Sequence, residues 1–426
     1  MQKLWIFLGL WPFLLGSQTV KECKHRFDTY LNFRGNLNAR LRFDVDAIYL
    51  LNSKGQEEFA LYESELELIA GLLERLPFKQ QETLLKWKGI RRLSQPQRDS
   101  LLNGLSARIP IPGSTKEFPL RGRKVAIDPG HFIANLQDAA IEQKFLYFAK
   151  DSVLFPGDSI KLFESNLTFN TAKQVQSLLE KQGAVVMLTR NQDNYTSFNC
   201  SYRDWLLKQK TRTLDSLKQL EVITPKRYEA LVKLSDYKFF WDFFRDYDLT
   251  NRANKVNAFG PEVTLIIHYN VDEKNAPWKK TTEKDFTMAF IGGAFTANDF
   301  DKAEGKINFV RLLITSQLNL SEKLAGQTVS LFHQNLNIPI AKSSDAAYLK
   351  DNCLATSSAG VFSRNLVLCR RINSPLVYGE SLYQDNKNES SLLMKLDLEV
   401  EGIKTNNRLN AVAKSYYQAV YDFLKP

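Results

Sequence analysis

Five short apolar runs set the frame of this chain: Lys124–Val125–Ala126–Ile127–Asp128, Ala184–Val185–Val186–Met187–Leu188, Val263–Thr264–Leu265–Ile266–Ile267, Phe286 to Ile291, and Leu376–Val377–Tyr378. They are too short for helices and apolar without alternation, as buried strands are. Helical spacing lies between them. Asn166 to Gln182 stops at Gly183, a C-terminal signal, and Arg408 to Leu424 reads as a closing helix. This alternation predicts an α/β fold, a mostly parallel twisted sheet with helices on both faces. In such sheets active residues gather at the carboxyl ends of strands, where His131, His268 and Glu380 fall.

The rest of the 426 residues divides around that frame. Residues 1–17 read as a secretory signal peptide: Lys3, an apolar run from Leu4 to Leu15, then Gly16 and Ser17. The run is short for a membrane span, and a buried helix or an uncleaved anchor is the rival reading. Cys23 is no lipidation site, because Lys21 and Glu22 precede it. With the signal removed, no later segment is apolar enough for stable membrane insertion, so the expected location is outside the cytoplasm, in the periplasm or cell envelope. Residues 18–120 read as a mainly helical N-terminal region, with helices over Tyr62–Glu74 and starting near Gln81 and Pro96. Pro110, Pro112, Gly113 and Pro119 mark its end. A catalytic domain over 121–426 follows, with a helical insertion at about 195–249 that is rich in aromatics.

Composition narrows the function little. A net charge of +10 suits an anionic partner, whether a cell wall rich in carboxylates or a nucleic acid. The chain carries no zinc-finger or RNA-binding signature, and export argues against nucleic acid. The four cysteines, Cys23, Cys200, Cys353 and Cys369, have no C-x-x-C spacing, which argues against a cysteine metal site. They permit disulfides without specifying them, and four buried thiols are an equal reading.

Of four histidines, His131 and His268 directly follow apolar runs, while His25 and His333 have no supporting pattern. A catalytic zinc takes three protein ligands and keeps one position open. Two histidines and a glutamate make such a set, and a further carboxylate then handles the proton of the attacking water.

These residues carry a family resemblance. From Arg123 to the C-terminus, with interruptions, the chain resembles the zinc-dependent N-acetylmuramoyl-L-alanine amidases of the third type. Val125–Ala126–Ile127–Asp128–Pro129–Gly130–His131 matches the first motif, whose histidine binds zinc. Glu164–Ser165–Asn166–Leu167–Thr168 opens a helix as the second motif does, with Glu164 as second ligand. Leu188–Thr189–Arg190 matches a strand end, and Arg252 and Asn257 keep the spacing before the third motif. Ile267–His268–Tyr269–Asn270 resembles that motif, whose histidine completes the site. Pro375–Leu376–Val377–Tyr378–Gly379–Glu380 supplies the catalytic glutamate, and Asn386 falls where the family has an asparagine. The resemblance implies a peptidoglycan hydrolase that cuts the amide bond between N-acetylmuramic acid and the L-alanine of the stem peptide. It leaves open whether an activator protein is needed.

The departures are specific. Phe132 replaces glycine after the first ligand, which predicts a narrowed or reshaped cleft. Ile266 replaces a small polar residue. Glu142 is a rival second ligand, and Glu399 and Glu401 rival Glu380, since Leu396 to Val400 also reads as a strand. Arg190 and Arg252 have a plainer reading as partners of surface carboxylates, and Asn257 and Asn270 as turn residues. The insertion reads as a lid or substrate surface, or else as decoration. Two other functions remain: a non-catalytic wall-binding protein or amidase regulator that keeps the fold, and a zinc peptidase acting on the stem peptide.

Overall fold

The computed structural model describes residues 18–75, 81–82, 94, 96, 114–148, 160–275 and 280–425. The signal segment, the helices expected to start near Gln81 and Pro96, and Pro110, Pro112 and Gly113 lie outside that description or touch it only at isolated positions.

Among the described residues, fourteen strands are numbered in chain order: β1 Leu41–Phe43, β2 Ala47–Leu51, β3 Glu57–Tyr62, β4 Lys124–Pro129, β5 Phe145–Phe148, β6 Ile160–Phe163, β7 Val185–Leu188, β8 Val263–Asn270, β9 Met288–Gly292, β10 Cys353–Ala355, β11 Val361–Arg364, β12 Leu376–Tyr383, β13 Leu398–Val400 and β14 Ile403–Thr405. Seven form the main sheet in the order β10-β11-β9-β12-β8-β4-β7. β7, β4, β8 and β12 run parallel. β9 then enters antiparallel to β12, β11 runs parallel to β9, and β10 closes the edge antiparallel.

Alternation of side chains along each strand builds two cores from one sheet. Val125, Ile127, Leu265, Ile267 and Val377 face the larger core. The long helices Glu164–Lys181, Gln317–Leu336 and Asn407–Leu424 cover that side. Ala126, Ile266 and Leu376 face the other side, where the helix Arg245–Phe259 packs. Both faces are covered, which is why the central strands read as unbroken apolar runs. Ile266 thus serves core packing.

The N-terminal region contains helices Val20–Arg26 and Leu66–Arg75 and also the small antiparallel sheet β1-β2-β3, which the sequence reading did not anticipate. Its apolar side chains run into the larger core. Arg26 Nε donates to Leu313 O at 2.7 Å, and Ala294 N to Tyr30 O at 2.7 Å. No helix among the described residues is long and apolar enough to cross a membrane. All four cysteines are unpaired, and Cys23, Cys353 and Cys369 are buried.

Candidate metal centre

β4 ends at Pro129, and the chain turns sharply through Gly130 into His131, which adopts a left-handed conformation with φ of 57°. Gly130 lies against the His268 imidazole so closely that a Cβ there would sit 2.3 Å from the ring. Glycine is therefore required by close approach. His268 comes from β8, and Glu164 is the first residue of the helix Glu164–Lys181. Ligand atoms of these three residues all lie within 4.8 Å of one another, a group that could hold a metal ion. Glu164 sits between the imidazoles: its Oε1 is 3.0 Å from His268 Nδ1 and its Oε2 is 3.3 Å from His131 Nε2. The two rings meet edge to face at 4.9 Å.

Glu142 stands on the other side of His131. Its Oε1 is 2.9 Å from His131 Nδ1, and its Oε2 accepts from the N–H groups of Phe132 and Ile133 at 3.1 and 3.0 Å. It orients the ring from behind, which is how a carboxylate fixes the tautomer of a ligating histidine. The charges reinforce one another. Burial opposes protonation of His131, but the Glu164 and Glu142 carboxylates overcome it and raise its pKa to about 9. Burial likewise opposes ionisation of Glu164, yet His131 and the hydrogen bonds from both imidazoles hold it well below the usual carboxylate range. Burial pushes His268 down.

β12 delivers Glu380 beside this group. The parallel register sets Glu380 opposite His268 and Tyr378 opposite Ile266, so both β12 side chains share the face of His268. The Tyr378 ring stacks on the His268 imidazole at 4.3 Å and 7°. Glu380 Oε2 is buried and has no hydrogen-bond partner among the described residues. Burial first, and the Glu164 charge second, push the Glu380 carboxyl up to about 8. Glu399 and Glu401, its sequence rivals, lie on the exposed β13–β14 hairpin, where Glu401 pairs with Lys181 at 2.6 Å.

Arg190 and Arg252, for which surface carboxylates were the plainer alternative, are buried, Arg190 to 1% exposure and Arg252 to 2%. Arg190 donates to Pro129 O, Gly130 O and Ser165 O at 3.0 to 3.2 Å. Burial and the Arg252 charge lower its pKa to about 9. Arg252 donates to Pro129 O at 3.0 Å and bonds Asp248 at 2.7 Å, with Asp128 at 3.4 Å. Together they clamp the turn that carries His131. Asn270 ends β8, accepts from Val271 N and donates to the Tyr348 hydroxyl. Asn257 is helical and bridges Arg371 O and Asn373 N, and Asn386 caps the helix Lys387–Met394. His333 bonds Ile338 O and His25 is exposed, and neither belongs to the His131, Glu164 and His268 group.

Phe132 does not narrow the cleft. The left-handed turn at His131 sends its side chain, 3% exposed, into an aromatic core with Tyr202, Trp205, Phe239, Phe240 and Phe244 of the insertion. Trp241 Nε1 donates to Ile141 O at 3.0 Å, and Arg203 pairs with Asp138 at 2.5 Å. The insertion thus grips the whole loop from Phe132 to Glu142. It also merges into the fold, because its last helix, Arg245–Phe259, runs unbroken past Leu249 and carries Arg252.

Tyr378 and Gln384 are site residues that the sequence reading missed. Gln384 Nε2 donates to Glu164 Oε2 at 3.0 Å. Tyr378 was legible as the same-face neighbour of Glu380, two residues before it. Gln384 lies just past the end of β12, and no pattern announces it.

A family model described as N-acetylmuramoyl-L-alanine amidase matches residues 125–420, which includes all four central side chains. The chain belongs to this amidase family. The probable cell wall amidase LytH of Staphylococcus aureus is 35% identical over 88 residues, 20% of this chain and 25% of LytH. Its Staphylococcus epidermidis counterpart is 32% identical over 91 residues, 21% of this chain and 26% of that protein. The chain therefore spans about a quarter of the length of the curated relatives it matches. Among solved structures, the amidase Ami1 of Mycobacterium smegmatis aligns at 15% identity with a TM-score of 0.38, over 72% of this chain and 98% of that one.

Proposed function

We propose that this protein is an exported zinc-dependent N-acetylmuramoyl-L-alanine amidase that releases stem peptides from peptidoglycan. The observation that carries the reading is the convergence of His131, Glu164 and His268 beside the recessed carboxyl of Glu380. Two imidazoles and a carboxylate are a zinc donor set, and the unpartnered Glu380 Oε2 fits a proton acceptor aimed at the same place. Zinc held there supplies Lewis acidity to the scissile carbonyl and to the attacking water. Glu380 takes the water's proton and returns it to the departing amine of L-alanine. A carboxyl raised toward neutrality suits both transfers. Glu142 and Tyr378 hold the two imidazoles in place. Retention of all four central residues favours catalysis over a regulator that merely keeps the fold. The pattern of residues 1–17 supports export to the periplasm or cell envelope.

The test is digestion of purified peptidoglycan with zinc and with a chelator, read by mass spectrometry. Whole stem peptides with a free L-alanine amine are expected with zinc alone. Shortened stem peptides would instead show a peptidase, and an intact wall a binding protein.

The insertion is proposed as a buttress of the centre. Phe132 and Ile133 place their side chains in its core and their N–H groups on Glu142, which holds His131. A shortened chain joining Thr196 to Asp248 would leave those apolar side chains in water. Phe244→Ala is the milder probe: it should cost about 3–5 kcal/mol of stability and weaken zinc retention, measured by thermal melting and by competition with a chelator. Unchanged zinc affinity in the folded variant would return the insertion to a lid or a decoration.

A further inference from the structure

We infer that Arg364 forms an anion subsite in the cleft, taking a free carboxylate of the stem peptide beyond its L-alanine; this rests on the amidase reading above. Arg364 ends β11, and Phe362, two residues earlier, packs with Met288, Phe290 and Tyr383 on the same side of the sheet as Glu380. The guanidinium carbon stands 5.1 Å from the ring centres of both Phe290 and Tyr348. Other recessed arginines end on oxygen acceptors of this chain: Arg252 on Asp128 and Asp248, Arg371 and Arg408 on Glu304 and Glu389, Arg190 on main-chain carbonyls. Arg364 has no such acceptor among the described residues. It is partly exposed, and its five N–H donors meet no hydrogen-bond or ion-pair acceptor among the described residues.

The position relative to the centre follows from the rings. Tyr378 stacks on His268 at 4.3 Å, Phe290 lies 6.0 Å from Tyr378, and Arg364 lies against Phe290. The second ring beside Arg364, Tyr348, accepts from Asn270 Nδ2 at 3.0 Å. An aromatic wall thus joins β8, the strand of His268, to the guanidinium, which stands within roughly 15 Å of His268, the reach of about four extended residues. Its charge is felt at Glu380, where it opposes the upward push of burial and Glu164. A planar guanidinium lying against two adjoining rings is partly ordered to receive a carboxylate through two parallel hydrogen bonds. A stem peptide with its first amide at the centre would lay its second or third residue along this wall.

The experiment compares two muramyl peptides that differ only at the second residue, one with a free carboxylate and one with the carboxamide. The protein as it stands should favour the acid in kcat/KM by roughly tenfold to a hundredfold, the loss typical of a charge-assisted hydrogen bond. The preference should appear mainly in KM. Arg364→Gln should bring the ratio close to one, and Arg364→Lys should restore part of it. Equal kcat/KM for the two peptides with the unaltered protein overturns the subsite without any variant, as does an unchanged preference in a folded Arg364→Gln. Cleavage of neither peptide by the unaltered protein removes the amidase reading and this subsite with it.

Discussion

Glu380→Gln should lower turnover of peptidoglycan by roughly a hundredfold to ten-thousandfold, the usual weight of a general base, while leaving zinc content unchanged. The glutamine is nearly isosteric and keeps the β12 register opposite His268, so the pocket keeps its shape. It cannot accept a proton. Nor does it touch the three side chains proposed to hold the metal, because the hydrogen bonds around Glu164 come from Tyr269, Gln384 and the imidazoles. Metal analysis of the purified variant beside a turnover assay separates the two effects. Glu401→Gln is the control: Glu401 lies at the exposed hairpin and pairs only at the surface with Lys181. A crippled Glu401→Gln together with a fully active Glu380→Gln would misplace the catalytic carboxylate.

The strands that deliver the site were legible because both faces of the main sheet are covered, which leaves Lys124–Asp128 and Val263–Ile267 as unbroken apolar runs. Gly183 was also readable, as a helix stop, whereas the close approach at Gly130 shows only in the structure. Glu164 was visible only through resemblance, since a glutamate at a helix start is common and nothing local ties it to two distant histidines. The small β1-β2-β3 sheet escaped notice because Tyr62, read as the start of a helix, ends β3 instead, and the helix begins at Leu66. The roles of Arg190 and Arg252 were hidden for a different reason. Arg190 ends on main-chain carbonyls of Pro129, Gly130 and Ser165, which no side-chain pattern encodes, and Arg252 joins Pro129 O to the carboxylate of Asp128, distant in sequence, as well as to Asp248 one turn before it. Phe132 misled because side-chain direction after His131 depends on a left-handed backbone turn.

His131→Ala should lose both zinc and hydrolysis. Only Glu164 and His268 would remain of the ligand set, one short of the three protein ligands of a catalytic zinc. Glu142 would not step in, because it stands on the Nδ1 side of the ring, opposite the Nε2 that faces Glu164, and Phe132 N and Ile133 N hold it there. Glu142→Gln should be milder, with zinc affinity lower by roughly tenfold to a hundredfold, the usual cost of losing a ligand's orienting partner. The same geometry sets the pH dependence of uptake. The paired carboxylates raise the His131 pKa to about 9, and zinc must displace that proton. Apparent affinity should therefore climb as pH rises toward about 9 and level off above it, and the levelling-off should move to lower pH in Glu142→Gln, where one of the two carboxylates favouring the proton is gone. Zinc bound per chain, measured against a chelator across that range, decides the matter. Full occupancy in His131→Ala would sink the assignment of this residue as a ligand, whatever became of activity.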